Sequence, residues 1–324
     1  MSKLHVVFGT GALGKWTARE LVRMGKQVRM VSHSGKADSR IPVEVEVVQG
    51  DAYDVNRNIE VTKNAAAVYQ CAQPPYHTWA EKFPSMQKAI LDAASANDAK
   101  LIVGDNLYMY GDTNGQPIRE DMPYQAHTKK GKVRGEMANT IMEAHRAGTV
   151  RAAIGRASNF FGPDDTAVTS YAVRPALAGK SINLLGRTDQ PHTFSYVADF
   201  GKLMATLGTR EESLGQIWFT PSPAPVTQLE LVGIMEDVLG HKVKFMVAGK
   251  AMLSLLGLFM PTLRESVEML YEWEKPFIMD SSKAQKAFGL LPTSLEDAMR
   301  ATIQWYKDTD ANLGLETEFV SAKN

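Results

Sequence analysis

The sequence predicts an α/β fold: a Rossmann-type, doubly wound parallel sheet with a smaller, mixed C-terminal substrate-binding region. Three observations carry this. An apolar run at residues 4–8 enters a glycine turn and then a helix-periodic stretch. Short apolar segments alternate with helical ones at the pace of βα units as far as about residue 155. Beyond that point the alternation weakens, and three prolines fall between Pro221 and Pro225.

The first unit is the most informative. The strand at 4–8 leads into Gly9-Thr10-Gly11-Ala12-Leu13-Gly14, and Trp16, Leu21 and Met24 follow at helical spacing. In the pattern G-x-G-x-x-G, Gly9 makes the turn, Gly11 lets backbone N–H groups approach a pyrophosphate, and Gly14 lets helix and strand pack closely. Ala12 and Leu13 open the helix whose positive end faces the phosphate. A rival pattern, the P-loop G-x-x-x-x-G-K-[ST], matches from Gly9 to Lys15 but meets Trp16 at its last position. A P-loop without that hydroxyl lacks its magnesium ligand.

A second strand is expected at 27–31, followed by Ser32-His33-Ser34-Gly35-Lys36, with Arg40 beyond. An acid at this point would bind the ribose 2'-hydroxyl of NAD, whereas hydroxyls and positive charge suit the 2'-phosphate of NADP. The nearest acid, Asp38, comes late. NADP is therefore the expected cofactor and NAD the alternative, and an ordinary polar turn is the other reading of these residues.

A third strand at 43–48 ends at Gly50-Asp51, and a helix follows at 56–63. A buried strand at 65–72 runs into Gln73-Pro74-Pro75-Tyr76. Ala72 and Gln73 thus lie at the carboxyl end of a strand, where open α/β sheets hold their ligands, and together with Asp51 they complete the expected cofactor site. A helix at 79–96, a strand at 100–103, a helix at 132–147 and a strand at 150–155 continue the pattern, and helices are expected at 227–239 and 263–274. Residues 1–155 read as the dinucleotide-binding domain, completed by about 192–212. Residues 156–191 and 213–324 read mainly as the substrate-binding region and C-terminal helices.

Composition narrows the function. The 324 residues carry 36 basic and 36 acidic side chains, a formal net charge of zero. That balance argues against nucleic acid or an anionic membrane as partner and for a small-molecule substrate. Cys71 is the lone cysteine, and neither C-x-x-C nor a close histidine pair offers a metal site, so no metal is expected. The apolar stretch 252–260 is broken by Ser254 and Gly257 and falls well short of the about 20 residues that span a bilayer. No signal-peptide pattern precedes the first strand, and a cytoplasmic location is expected. Met252, Met260 and Met269 read as adaptable core or pocket lining.

In order and spacing these pieces resemble the extended short-chain dehydrogenase/reductase family, also described as NAD-dependent epimerase/dehydratase-like proteins. The resemblance rests on Gly9 to Gly14, Gly50-Asp51, Tyr110-Gly111 and Asn159-Phe160-Phe161-Gly162-Pro163. It continues through His192-Thr193-Phe194-Ser195-Tyr196-Val197-Ala198-Asp199 and Asp280-Ser281-Ser282-Lys283. It implies a homodimer formed through two helices per subunit.

It also implies a catalytic set: a Ser or Thr four residues before Tyr110, then a Tyr-x-x-x-Lys on the next helix. Those positions hold Asn106, Thr128 and Lys132. The chain therefore resembles the family's atypical subgroup, which lacks the catalytic tyrosine. A threonine hydroxyl is a far weaker acid than a phenol. Lys132 is expected to hold the nicotinamide ribose, and either Lys132 or Tyr108 to deliver the proton, while Asn106 donates to a substrate carbonyl. Tyr124 and His127 are lesser candidates, and Asn159, His192 and Tyr108 are expected to face substrate. The leading expectation is an NADP-dependent oxidoreductase acting on a small carbonyl or activated alkene. The alternatives are a nucleotide-sugar epimerase or dehydratase, and a non-catalytic NADP(H)-sensing protein.

Overall fold

The computed structural model describes residues 3–165, 168–249, 252–253 and 267–312. The chain begins β1 (Leu4–Phe8), α1 (Ala12–Arg23), β2 (Gln27–Ser32), β3 (Glu46–Gln49), α2 (Val55–Val61) and β4 (Ala65–Gln70). It continues through α3 (Trp79–Ala96), β5 (Lys100–Asp105), α4 (Lys129–Arg146), β6 (Ala152–Arg156), β7 (Phe160–Phe161), α5 (Val168–Leu177) and β8 (Ile182–Leu185). The remainder is β9 (Ser195–Tyr196), α6 (Val197–Thr209), β10 (Ile217–Phe219), α7 (Gln228–Leu239), β11 (Phe245–Ala248), α8 (Tyr271–Glu274), α9 (Ser282–Phe288) and α10 (Leu295–Asn312).

Seven strands form one sheet in the order β10-β6-β5-β4-β1-β2-β3, and every pairing in it is parallel. Parallel neighbours require crossovers, and the crossover helices cover both faces. On one face α3 and α4 pack Phe83, Met86, Ile90, Met137 and Ile141 against Val6, Val68 and Leu101. On the other, α1 and α6 pack Leu21, Phe200, Leu203 and Met204 against Val7, Tyr69 and Ile102. The strand order reverses between β1 and β4. A ligand crevice therefore opens at their carboxyl ends, beside the glycine turn.

A third cluster, with Val173, Leu184, Val232, Met299 and Ile303, unites α5, β8, α7 and α10. Helix α7 starts with a reciprocal cap between Thr227 and Glu230 and stops at Gly240, whose φ is 77°.

Several expected boundaries move. The third strand is only Glu46–Gln49, and Val43, expected within it, is 98% exposed. Helix α4 starts at Lys129, not 132, because Thr128 caps it by accepting from the Gly131 N–H. The expected division at residue 213 does not follow the packing. Strand β10 joins the central sheet beside β6, and Phe288 of α9 packs on its Trp218. A three-residue strand is too short to show periodicity, so its place depends on long-range pairing. Of the helix expected at 263–274, the described part is Tyr271–Glu274. Residues 254–266, with Met260, lie outside the described residues. Among the described residues no helix is long and apolar enough to cross a membrane.

Helix α6 lies almost backbone to backbone on α1: a Cβ on Gly201 would fall 2.6 Å from the Trp16 carbonyl carbon. Gly201→Ala should thus destabilise the fold by about 1–3 kcal/mol, the usual cost of overpacking against atoms that cannot move aside. Urea unfolding measures it, and an unchanged midpoint would show that the two helices can separate freely.

Candidate functional site

The glycine turn is built by three different constraints. Gly9 has φ 104°, and a Cβ there would lie 2.7 Å from the Ala72 nitrogen, so the turn presses on the chain leaving β4. A Cβ on Gly14 would lie 2.0 Å from the Gly9 carbonyl oxygen, which lets α1 start directly against the turn. Gly11 has nothing within 4 Å of its would-be Cβ. It caps α1 with no side chain, and the first turn, begun by Ala12 and Leu13, carries no acid. The result is an open cradle with unsatisfied backbone donors, which fits a dinucleotide pyrophosphate.

The P-loop alternative fails on the same helix. Lys15 is buried, with Nζ 2.8 Å from Asp38 and 3.3 Å from Asp164, and so cannot reach a phosphate. The buried Thr17 hydroxyl donates to the Leu13 carbonyl at 2.8 Å, leaving it unavailable to a metal.

At the end of β2, Ser32 accepts from the Gly35 N–H and Ser34 from the Lys36 N–H, at 3.1 and 3.2 Å. His33 and Lys36 are exposed, and the Lys36 ammonium has no ion pair among the described residues. Asp38 is already engaged by Lys15 and by Arg40 at 2.9 Å. Burial pushes its carboxyl up, but the bonds from Arg40 and Lys15 outweigh that and bring it to about 2. Asp51 accepts from the Tyr53 N–H at 3.0 Å and shapes the turn into α2. Gln73 is exposed beside the cradle.

The carboxyl ends of β5 and β6 carry a buried charge network. Asp105 accepts from Arg134 of α4, whose Nε lies 2.7 Å away, and from Arg156 Nε at 3.0 Å. Arg156 also donates to the Tyr110 and Tyr124 hydroxyls at 2.6 and 2.7 Å. Arg134 lies 4.4 Å over the Phe83 ring. Tyr124 is therefore a structural partner of Arg156.

This network orients α4. Lys130 and Arg134 occupy its buried face; Lys132, about 200° round the helix from Lys130, is exposed. Among the described residues the Lys132 side chain has no hydrogen bond or ion pair, to Tyr108 or Asn106 included. The lysine turned inward is Lys130, with Nζ 4.4 Å over the Tyr76 ring and 3.4 Å from Glu268. Thr128 is buried and spent as the cap.

Asn106 accepts from the Tyr108 N–H at 3.2 Å, and so orients the turn that carries this tyrosine. Burial raises the Tyr108 phenol well above its ordinary value, and Tyr76 and Glu272 add to the effect. Such a phenol is a poor acid near neutrality. Asn159 and His192, expected on the substrate side, do meet, and they meet around Glu272. Burial lowers the His192 ring to about 3, so it is neutral, and it stacks on Trp273 with centroids 4.2 Å apart. Its Nδ1–H donates to the Glu272 carbonyl at 3.2 Å, which leaves Nε2 to accept from Asn159 at 3.3 Å. The second Asn159 N–H donates to Glu272 Oε2, also at 3.3 Å.

Sequence reasoning missed Glu272, Asp105, Arg134 and Arg156. Glu272 lies in Tyr271-Glu272-Trp273-Glu274, which reads as an ordinary polar helix turn, and its side-chain partner Asn159 is 113 residues away. No local signal could have found it. A cleft of about 670 Å³ lined by Lys3, His5, Lys26, Lys100 and Arg151 opens at the amino ends of the strands, opposite the glycine turn. It is remote from the groups above.

Two outcomes follow. Gly11→Val should abolish dinucleotide binding while leaving the melting temperature nearly unchanged, since the side chain enters only the open cradle; retained binding would place the pyrophosphate elsewhere. The second concerns Glu272, whose carboxyl burial raises from 4.5 to about 8, with only partial relief from Asn159. Between those values the unfolded chain releases a proton that the fold keeps, so stability falls as pH rises through that window. Glu272→Gln should therefore gain in Tm over the parent from about pH 5 to about pH 8 and no further above. A pH-independent difference would mean an ordinary, ionised carboxylate.

Among functionally curated proteins, none matches this chain. Solved structures do. An epimerase from Methanothermobacter thermautotrophicus is 15% identical, with TM-score 0.79 over 96% of this chain and 94% of its own. The dTDP-glucose 4,6-dehydratase of Streptomyces venezuelae, solved with NAD, is 16% identical, with TM-score 0.77 over 95% and 98%. The UDP-glucuronic acid 4-epimerase of Bacillus cereus, also solved with NAD, is 17% identical, with TM-score 0.76 over 94% and 97%. These likenesses establish the fold. The model of the NAD-dependent epimerase/dehydratase family matches residues 6–218, from the first strand through β10. The chain is a member of that family of oxidoreductase-type enzymes.

Proposed function

We propose that this protein is an NADP(H)-dependent oxidoreductase acting on a small carbonyl or activated alkene. The observation that carries the cofactor choice lies at the end of β2. Asp38, the nearest acid, is held by Lys15 and Arg40, whereas the Lys36 ammonium stands exposed beside the Ser32 and Ser34 hydroxyls. Those three residues are the ones to meet a 2'-phosphate. Gly9, Gly11, Ala12, Leu13 and Gly14 would hold the pyrophosphate, with Asp51, Ala72 and Gln73 bordering the groove. A nicotinamide dinucleotide, when bound, supplies or accepts the hydride. The chain's own task is to place substrate at the carboxyl ends of β5 and β6, near Asn106, Tyr108 and Asn159, and to move a proton.

The second reading is a nucleotide-sugar epimerase or dehydratase, favoured by family membership and by the activities of the Streptomyces and Bacillus enzymes. Removing a proton from a sugar hydroxyl requires a strong base. Under the resemblance's register that position is Thr128, whose hydroxyl caps α4. This argues for the carbonyl reading. We also propose that the protein works inside the cytoplasm, as a homodimer.

Fluorescence titration tests the cofactor. NADPH should bind at least about tenfold more tightly than NADH, the worth of one or two partly exposed charge-assisted bonds, and Lys36→Ala should remove most of that preference. Equal affinities, or tighter NADH, would overturn it. NADPH oxidation across a panel of aldehydes, ketones, quinones and enones tests the reaction. Consumption of UDP- or dTDP-sugars instead would favour the second reading, and binding without any turnover would make the protein a sensor of the cofactor.

A further inference from the structure

We propose that Glu272 is the acid–base residue of the substrate site, exchanging its proton with the substrate oxygen and so taking the role that the family resemblance gives to a tyrosine. This rests on the oxidoreductase reading above.

The buried acids differ sharply in what meets them. Asp105 is met by two guanidinium groups. Asp164 is met by Lys15, Arg19 and Arg40. Asp199 is met by Lys202 and by both the N–H and the hydroxyl of Thr293. Glu272, just as buried at 2% exposure, meets no cation among the described residues. Among the described residues its Oε2 takes one bond, from Asn159, and its Oε1 takes none. The neighbouring Tyr271 hydroxyl is also buried without a partner among the described residues. Two adjacent polar groups with unfilled bonding capacity are costly in an interior, and they mark where a ligand oxygen would be received.

The place is right as well. Glu272 is clamped by Asn159, which follows β6, and it acts electrostatically on Tyr108, which follows β5. Among the described residues, the other groups around it are the Tyr76 ring, the Tyr271 phenol, which burial raises well above its ordinary value, and the neutral His192, with the Lys130–Glu268 pair beyond. None of these described groups supplies a charge that would force Glu272 to ionise. A carboxyl poised at about 8 is better matched to proton transfer near neutral pH than the Tyr108 phenol.

In carbonyl reduction, the Glu272 O–H bond breaks and the substrate oxygen takes the proton, its C=O π pair becoming the new O–H bond. The two electrons entering at carbon come as hydride from the reduced nicotinamide dinucleotide. The carboxylate left behind regains a proton from water.

Dicyclohexylcarbodiimide labels undissociated carboxyls that a small apolar reagent can reach. Mass spectrometry of the labelled full-length protein should find modification at Glu272 at pH 7, about tenfold less at pH 9, and strong protection by saturating NADP. Glu272→Gln, isosteric and of parental circular dichroism, should lose the label while binding NADPH within about twofold of the parent. With any carbonyl that the panel shows to be reduced, that variant should lose about a hundredfold in kcat at unchanged KM, and Glu272→Asp should recover part of it. Absence of label, label indifferent to bound NADP, or full activity in Glu272→Gln overturns the assignment. Failure of the parent to bind NADP at all, with the pH-dependent label intact, would instead sink the oxidoreductase reading.

Discussion

The Asp105 carboxylate is the contact on which the site depends. It ends β5 and takes guanidinium groups from α4 and from β6, so three elements remote in sequence meet at one buried charge. Removing one partner of such a network leaves an uncompensated interior charge, typically a loss of about 3–5 kcal/mol. The network also chooses a helix face. With Arg134 drawn inward, Lys130 follows it and Lys132 must point outward. Arg156 extends the same order to Tyr110 and Tyr124, which brace the chain between β5 and α4.

A second buried carboxylate joins the two ends of the site. Asp164, in the loop that carries Asn159 to Pro163, reaches across to Lys15 and Arg19 of α1 and to Arg40 beyond β2. Trp16 adds a bond from its indole N–H to the Pro163 carbonyl at 3.1 Å. The loop at 159–164 is therefore held by the helix that opens at the glycine turn. Lys15 and Arg40, bound to both Asp38 and Asp164, are the shared elements.

Proton transfer needs an ionisable group of suitable strength near the reacting atom, and burial can supply that strength to a carboxyl as readily as a neighbouring cation supplies it to a phenol. Here burial raises two groups with opposite consequences. It carries Tyr108 away from neutrality and brings Glu272 toward it.

What the sequence by itself determined is local. Gly9, Gly11 and Gly14 were legible because the turn's demands on φ and on space act on consecutive residues, and the strand and helix alternation was legible because it is a period within each segment. The hydroxyl and lysine run after β2 was readable for the same reason, since Ser32 to Lys36 form one short turn. The family pattern rode on those same local signals. Only the tertiary structure decided which lysine of α4 faces inward, because Thr128 caps the helix three residues earlier than periodicity suggests and Asp105 sets its rotation. Only it placed β10 in the sheet, and only it brought Glu272 to Asn159 and His192. A buried charge owes its state to groups that the chain supplies from far away, and no window of sequence contains them.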